Sequence, residues 1–351
     1  MSFKIPYINI ADMRFIKHSI FCLIIFSNTS FGKEFNELFT IYESIEDPSK
    51  IEKTINNSFN TMIYRLSGDP SPSNIWKIIN AGNVRKDFIK SYSIKNINDQ
   101  SFLQVDFDKD LLVKEFNELS IPVLGNSRPV ILFLINIDSG SKKPYLLKDS
   151  ESNYEIDSLI KESLKDIASS RGIFLELPEP DLQEITSLDN YSKLINSNSF
   201  ISSQHSSTEV VEINITKIGL KEWSVNGDFN FIYNGDEFNM IFLQEFNKFI
   251  NQIVNQILKK NLIDISKESL INISVANINN YDDYKKSREV FQRLVATKDI
   301  EISKFEFNKI SYQINIYGDF KSYINEMNEN NFIEINNILY DSNTMNLNFR
   351  R

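Results

Sequence analysis

Cysteine and histidine are nearly absent from this chain, with one Cys and two His in 351 residues. Cys22 and His18 both fall in the first 32 residues, a stretch read below as a leader, which leaves the remainder with no Cys and only His205. A disulfide scaffold, thiol catalysis, cysteine-based zinc or iron–sulfur sites and a multi-histidine metal centre are thereby excluded. Glycine is scarce too, at 10 residues. Neither a Walker motif nor a Gly-x-Gly-x-x-Gly loop occurs, so no phosphate cradle is encoded. A formal charge of −9 argues against a general nucleic-acid binder. Trp76 and Trp223 are too few and too far apart for a sugar platform.

Hydrophobic residues make up 41%, enough for a sizeable core and two or three domains. The 27 Phe recur at helix and strand spacing, which assigns them to the core. The 42 Asn, beside many Ile and Lys, read as a bias toward A/T-rich codons and make lone Asn residues weak signals. With only 9 Arg, the placement of each one is more informative.

Residues 13–32 combine a basic start (Met13-Arg-Phe-Ile-Lys-His18), an apolar stretch over 19–27 and a small-residue exit, with Ser30 and Gly32 at −3 and −1 of a cut before Lys33. The 9-residue apolar core is too short to span a bilayer. This predicts a cleaved secretory signal over 1–32, with Met13 a better start than Met1. No later apolar run is long enough to span a membrane, and no Cys stands at a lipoprotein position. Loss of Lys4, Arg14, Lys17 and Asp12 with the leader takes the charge from −9 to −11. A cysteine-free exported chain fits a periplasm.

The remainder reads as an α+β protein: mixed α/β sheet units over 33–148 and 149–262, then a ferredoxin-like (βαββαβ) domain over 263–351. The first unit carries a strand near 38–42, a helix with Ile51, Ile55, Phe59, Met62, Ile63 and Leu66 on one face closed by Gly68, and a short helix around 75–79. Strands at 88–94 and 102–107, a helix over 109–119 and an apolar strand at 130–135 follow. The last is continuous enough to be covered on both faces. The second unit opens with a helix from Ile156 to Ala168 capped near Gly172, then a strand at 173–177. A short helix and loop are expected over 188–208, then strands through Val211 and Trp223. Asn226-Gly227 and Asn234-Gly235 mark hairpins, and a long helix carries Phe246, Ile250, Val254 and Ile257. The third unit places strands at 270–275, 300–307, 310–317 and 332–339 and helices at 281–294 and 320–327. A final strand near 345–349 adds to an edge. The first unit has a similar element order.

Candidate chemistry is sparse. Asp106, Asp108 and Asp110 alternate as in a calcium loop, but Leu111 and Asn117 stand where Gly and Glu belong, and helix capping is the simpler role. His205 lies in a Ser-rich loop without a nucleophile elbow. Glu176, Glu179 and Asp181 follow a strand end and offer a carboxylate pair, with turn formation around two prolines as the alternative. Arg65-Leu-Ser-Gly68-Asp69-Pro70, Asn126-Ser-Arg128-Pro129 and Ser170-Arg171-Gly172 concentrate the scarce Arg where helices end or strands begin. Two readings stay open: guanidiniums tying loops to helix C-termini, or a cluster for an anionic group or a partner carboxylate.

Arg65-Leu-Ser-Gly-Asp69, the strand at 88–93, Val105-Asp-Phe107, Arg128-Pro before an apolar strand, and Arg171-Gly with a downstream Leu-Pro-x-x-Asp181 occur in order. Together they resemble the proteobacterial family of unknown function numbered two thousand and sixty-six. Ser67 stands for the usual Thr, and Leu124 for the usual Trp. The resemblance covers roughly 35–260. It implies an exported envelope protein and supplies no catalytic residues.

The resulting expectation is a non-catalytic periplasmic protein, without cofactor or metal, that binds another envelope protein and neither nucleic acid nor, once its leader is gone, the bilayer as a spanning protein. The alternative is a binding protein for an anionic ligand or envelope polymer using Arg65, Asp69, Arg128, Arg171 and Asp181. A hydrolase built on Asp69, Asp106 and Asp181 is third.

Overall fold

The computed structural model describes residues 32–45, 50–97, 100–141, 143–179, 205–327, 330 and 332–350, all within one compact unit from Gly32 to Arg351. Residues 1–31 of the leader expected over 1–32, Asp181 and most of the helix and loop expected over 188–208 lie outside the described residues. Helices and mixed sheets alternate along the chain, an α+β protein as expected.

Alternation builds the first sheet. In β4 (Gln100–Phe107), Leu103, Val105 and Phe107 point inward and are buried. β4 pairs antiparallel with β2 (Thr40–Ser44) on one side and β3 (Ile89–Ile97) on the other. α1 (Ile51–Ser67) buries Ile55, Phe59, Met62, Ile63 and Leu66 in the same core, and Gly68 ends it at φ 65°. α2 (Ser73–Asn80) follows Pro70-Ser-Pro72. α3 (Lys109–Glu118) starts at Asp108, whose carboxylate accepts from the Leu111 amide at 3.0 Å, the capping role read from sequence.

β6 (Ser127–Asp138) is the centre of a seven-stranded sheet, with residues 130–135 at most 1% exposed, so both of its faces are covered. It falls within 33–148, yet its parallel partners β8 (Phe174–Glu176) and β9 (Glu209–Lys217) come from 149–262. β1 (Gly32–Glu34) and β7 (Tyr145–Leu146) also pair with it, and β5 (Val123–Leu124) pairs with β12 (Leu262–Ile263). α4 (Glu155–Arg171) and α5 (Phe238–Lys260) bury their apolar stripes with Phe133, Ile135 and Ile137 in a second core.

The hairpins need a correction. β9 turns into β10 (Glu222–Gly227) through 218–221, and β10 into β11 (Phe231–Asn234) through 228–230. Asn234-Gly235 instead leads into α5. Gly227 ends β10 at φ 123°, where a Cβ would lie 2.2 Å from the Glu212 carbonyl oxygen.

The C-terminal sheet has the order β14-β15-β13-β17-β16. β13 (Glu268–Ala276), α6 (Tyr281–Arg293), β14 (Thr297–Glu306), β15 (Lys309–Tyr317), α7 (Phe320–Met327) and β16 (Ile333–Leu339) give the expected element sequence. The ferredoxin-like order is nevertheless modified. β17 (Thr344–Phe349) lies parallel to β13 in the slot a fourth strand would take, and β16 is displaced to the outside. The final strand is therefore interior rather than at an edge, paired with β13 and β16, and its Met345, Leu347 and Phe349 are buried.

Two stretches share one topology. In β2–α1–α2–β3–β4–α3, where α2 is an addition, and in β13–α6–β14–β15–α7, the third strand pairs antiparallel with both the first and the second. The second strand, β3 or β14, is left at the edge of its sheet.

Candidate functional site

The three arginines singled out in the sequence do meet, but around backbone carbonyls. Arg65, in the last turn of α1, donates through Nη1 to the carbonyls of Leu38 (3.2 Å) and Thr40 (2.7 Å). Its Nη2 donates to the Ser169 carbonyl at 2.7 Å, in the last turn of α4. Arg171, which ends α4, returns the contact through Nη2 to the Gly68 carbonyl at 2.8 Å, and also reaches Asn255 Oδ1 at 2.7 Å. Arg128 donates through Nη1 to the Arg65 carbonyl at 3.1 Å. Two helix C-termini, each with unpaired carbonyls and a negative dipole end, are thus held by each other's guanidinium.

Burial makes the cluster structural. Arg65, Arg128 and Arg171 are 3%, 0% and 4% exposed, which leaves no guanidinium face open to a soluble anion. Burial, and then the neighbouring Arg65, push the Arg128 guanidinium down to about 9. Arg65 is lowered to about 10, chiefly by burial. Asp69 does not join them in a site: its carboxylate accepts from the Ser71 amide and hydroxyl, both at 2.9 Å, and fixes the turn after α1. Asp181 lies outside the described residues.

A fourth charged group in this region was not legible in sequence. Glu326, on α7, is buried and accepts from the amides of Asn126 (2.8 Å), Val295 (2.7 Å) and Ala296 (3.0 Å). Gly125 makes room for it, since a Cβ there would lie 2.7 Å from its carboxyl carbon. Burial pushes the carboxyl above its ordinary range, against the pull of the three amides and of Lys109. Its donors stand 200 positions away at Asn126, and 31 and 30 positions away at Val295 and Ala296 in the α6–β14 link, so no local motif announces it.

Two of the acids considered in the sequence, Asp106 and Glu179, are held below the usual carboxylate range. Asp106 feels burial, but hydrogen bonds from Gln104, Ser91 and Thr40 and the charge of Lys90 hold it below the usual carboxylate range. Glu176 pairs with Lys33. Glu179 is lowered by its bonds from Ser150. The Nε2 of His205 has no hydrogen-bond partner, and no serine joins it in a relay among the described residues. The same residues hold no group of three or more His, Cys, Asp or Glu able to bind a metal, and no helix long and apolar enough to cross a membrane.

The unusual surface lies on β14. Ile300, Ile302 and Phe305 stand opposite Ile314, Tyr312 and Ile310, which are all fully buried, so they belong to the inner face of the sheet. Ile302 and Phe305 are nevertheless 46% and 68% exposed, and Phe307 beyond the strand is 99% exposed. The first turn of α6 leaves them uncovered and forms a groove of about 450 Å³ with them, lined by Ile278, Tyr281, Tyr284, Ile302, Phe305 and Phe307. Among the described residues β14 pairs on one side only, with β15, and its other backbone edge is open. These aromatics correct the assignment of the Phe residues to the core. Strand spacing identifies an inward face without saying where the covering helix begins.

No family model matches the chain, and no curated protein and no solved structure matches it either.

Proposed function

We propose that this chain is an exported, non-catalytic interaction module of the cell envelope, whose β14 edge takes up an extended segment of another envelope protein. The observation that carries the reading is the coincidence of an open strand edge with an apolar groove on the inner face of the same strand. An added strand satisfies the free amides and carbonyls of β14, while alternate side chains enter the groove, the arrangement of β-strand addition. A strand of 10 residues with this much exposed apolar surface is a liability that calls for a partner. The bulges after Thr297 and Ile302 limit uncontrolled pairing without covering the aromatics. Export rests on residues 13–32 and on the family resemblance. The Arg cluster gives little support to an anionic-ligand site, because all three side chains are buried and each is tied to carbonyls, although Nε and Nη2 of Arg128 and Nε and Nη1 of Arg171 carry no hydrogen-bond partner among the described residues.

The test is co-purification from the exported fraction with the wild-type chain and with an Ile302→Asp/Phe305→Asp variant. Both positions are exposed, so the variant retains its fold. A protein recovered with the wild type and lost with the variant is the expected result. Identical recoveries would overturn the reading.

A further inference from the structure

The topology shared by the two βαββα stretches repeats the β14 groove at a second place. β3 is also an edge strand, paired among the described residues only with β4. Tyr92 and Ile94 stand opposite Val105 and Leu103, both fully buried, so they too lie on an inner face, yet they are 58% and 54% exposed. The first turn of α1 completes a groove of about 440 Å³ with Ile51, Ile55, Ile89 and Tyr92. Each groove thus lies between the N-terminal turn of the crossover helix and the inner face of an edge strand, and the two volumes are nearly equal.

Their charges differ. Within 89–97, β3 carries Lys90 and Lys95 and no acidic residue, in a chain whose net charge is −9. Lys86 and Lys90 line the groove, where Lys86 pairs with Glu52 at 2.7 Å, and Lys95, opposite Phe102, stands on the other face of the strand. β14 carries Lys298 and Lys304 against Asp299, Glu301 and Glu306. An extended segment laid along β3 meets ammonium groups beside an apolar groove, which is complementary to alternating acidic and apolar side chains.

We infer that the β3 edge is a second docking site, selective for an extended segment in which apolar and acidic residues alternate. The inference rests on the β14 reading for its mode of binding, and its test is separate. The probes are fluorescein-labelled (Glu-Val)4 and (Lys-Val)4 peptides, titrated with the full chain and followed by fluorescence anisotropy. The acidic peptide binds and the basic one does not. Lys90→Glu/Lys95→Glu weakens the acidic peptide by about tenfold or more, as charge reversal at a complementary edge requires. Tyr92→Ala weakens it without a charge change, and Phe305→Asp leaves it unaffected. Equal binding of the two peptides, no binding of the acidic one, or a loss caused by Phe305→Asp and not by the lysine reversals would overturn the second site. The first two outcomes leave co-purification through β14 untouched and the third moves the peptide to β14, so the two claims fail separately.

Discussion

The stem of Arg65 lies directly over Gly172: a Cβ at position 172 would sit 2.6 Å from Arg65 Cγ and 3.0 Å from Cδ. The residue that caps α4 is therefore also the floor on which the last turn of α1 places its guanidinium. Gly172 has φ 58°, so a side chain there is strained as well as crowded. We expect Gly172→Ala to cost about 2–4 kcal/mol, the left-handed penalty plus the displaced Arg65. Gly82 has φ 93° and open space around its Cβ position, so Gly82→Ala isolates the backbone part, about 1–2 kcal/mol. Urea unfolding of the two variants measures the difference, and equal losses would remove the role given to the Arg65 contact.

The exchange of guanidiniums between the ends of α1 and α4 calls for the planar fork of arginine. Arg65 reaches Thr40 and Ser169 through two different nitrogens, which a single ammonium does not reproduce. Arg65→Lys and Arg171→Lys are each expected to destabilise by about 1–3 kcal/mol. In a double-mutant cycle their effects are expected to be non-additive by more than about 0.5 kcal/mol, because both join the same pair of helix ends. Additive losses would show the two contacts to be independent.

Much of this framework is legible in the sequence. Gly68 and Gly172 announce the ends of α1 and α4, because a glycine at the close of an apolar stripe marks a left-handed cap. The burial of β6 follows from its unbroken apolar run. What escapes is pairing between distant segments. Nothing near Met345 or Leu347 says that β17 enters beside β13 rather than at the edge, since its neighbours come from 272–276 and 333–339. The arginines were visible as a set, but whether they faced solvent or carbonyls depended on how α1 and α4 meet. The exposure of Phe305 and Tyr92 depends on where α6 and α1 begin relative to their edge strands.

Glu326 sets a pH dependence of definite sign. Its folded pKa is raised above the unfolded value near 4.5, so the native state holds the proton longer. Its burial cost is absent in acid, below the unfolded value, and appears as pH rises through the folded one. The stability of the wild type relative to Glu326→Gln is therefore expected to fall as pH rises from about 4.5 to neutrality. Urea midpoints of both chains across that range decide it, and a gap independent of pH would contradict the assignment.

Asp106 works in the opposite sense. Thr40, Ser91 and Gln104 donate to its carboxylate at 2.9, 2.8 and 3.0 Å, tying β2, β3 and β4 together on their outer face. Its folded pKa is depressed below 3.8, so its contribution is present above that value and lost as pH falls through the folded pKa. Asp106→Ala is expected to cost about 1–2 kcal/mol at neutral pH and less in strong acid. A loss that does not shrink on acidification would argue against the ionised carboxylate as the tie.

The most direct test of the central claim is a photo-crosslinking residue, p-benzoylphenylalanine, placed at position 305 in the full-length chain. The same residue at position 220, at the tip of the β9–β10 turn and 96% exposed, serves as control. The expected result is a crosslink at 305 and none at 220, with the attached peptide mapping to a single extended segment of one envelope protein. Crosslinks of equal yield at both positions, or none at 305, would contradict the account.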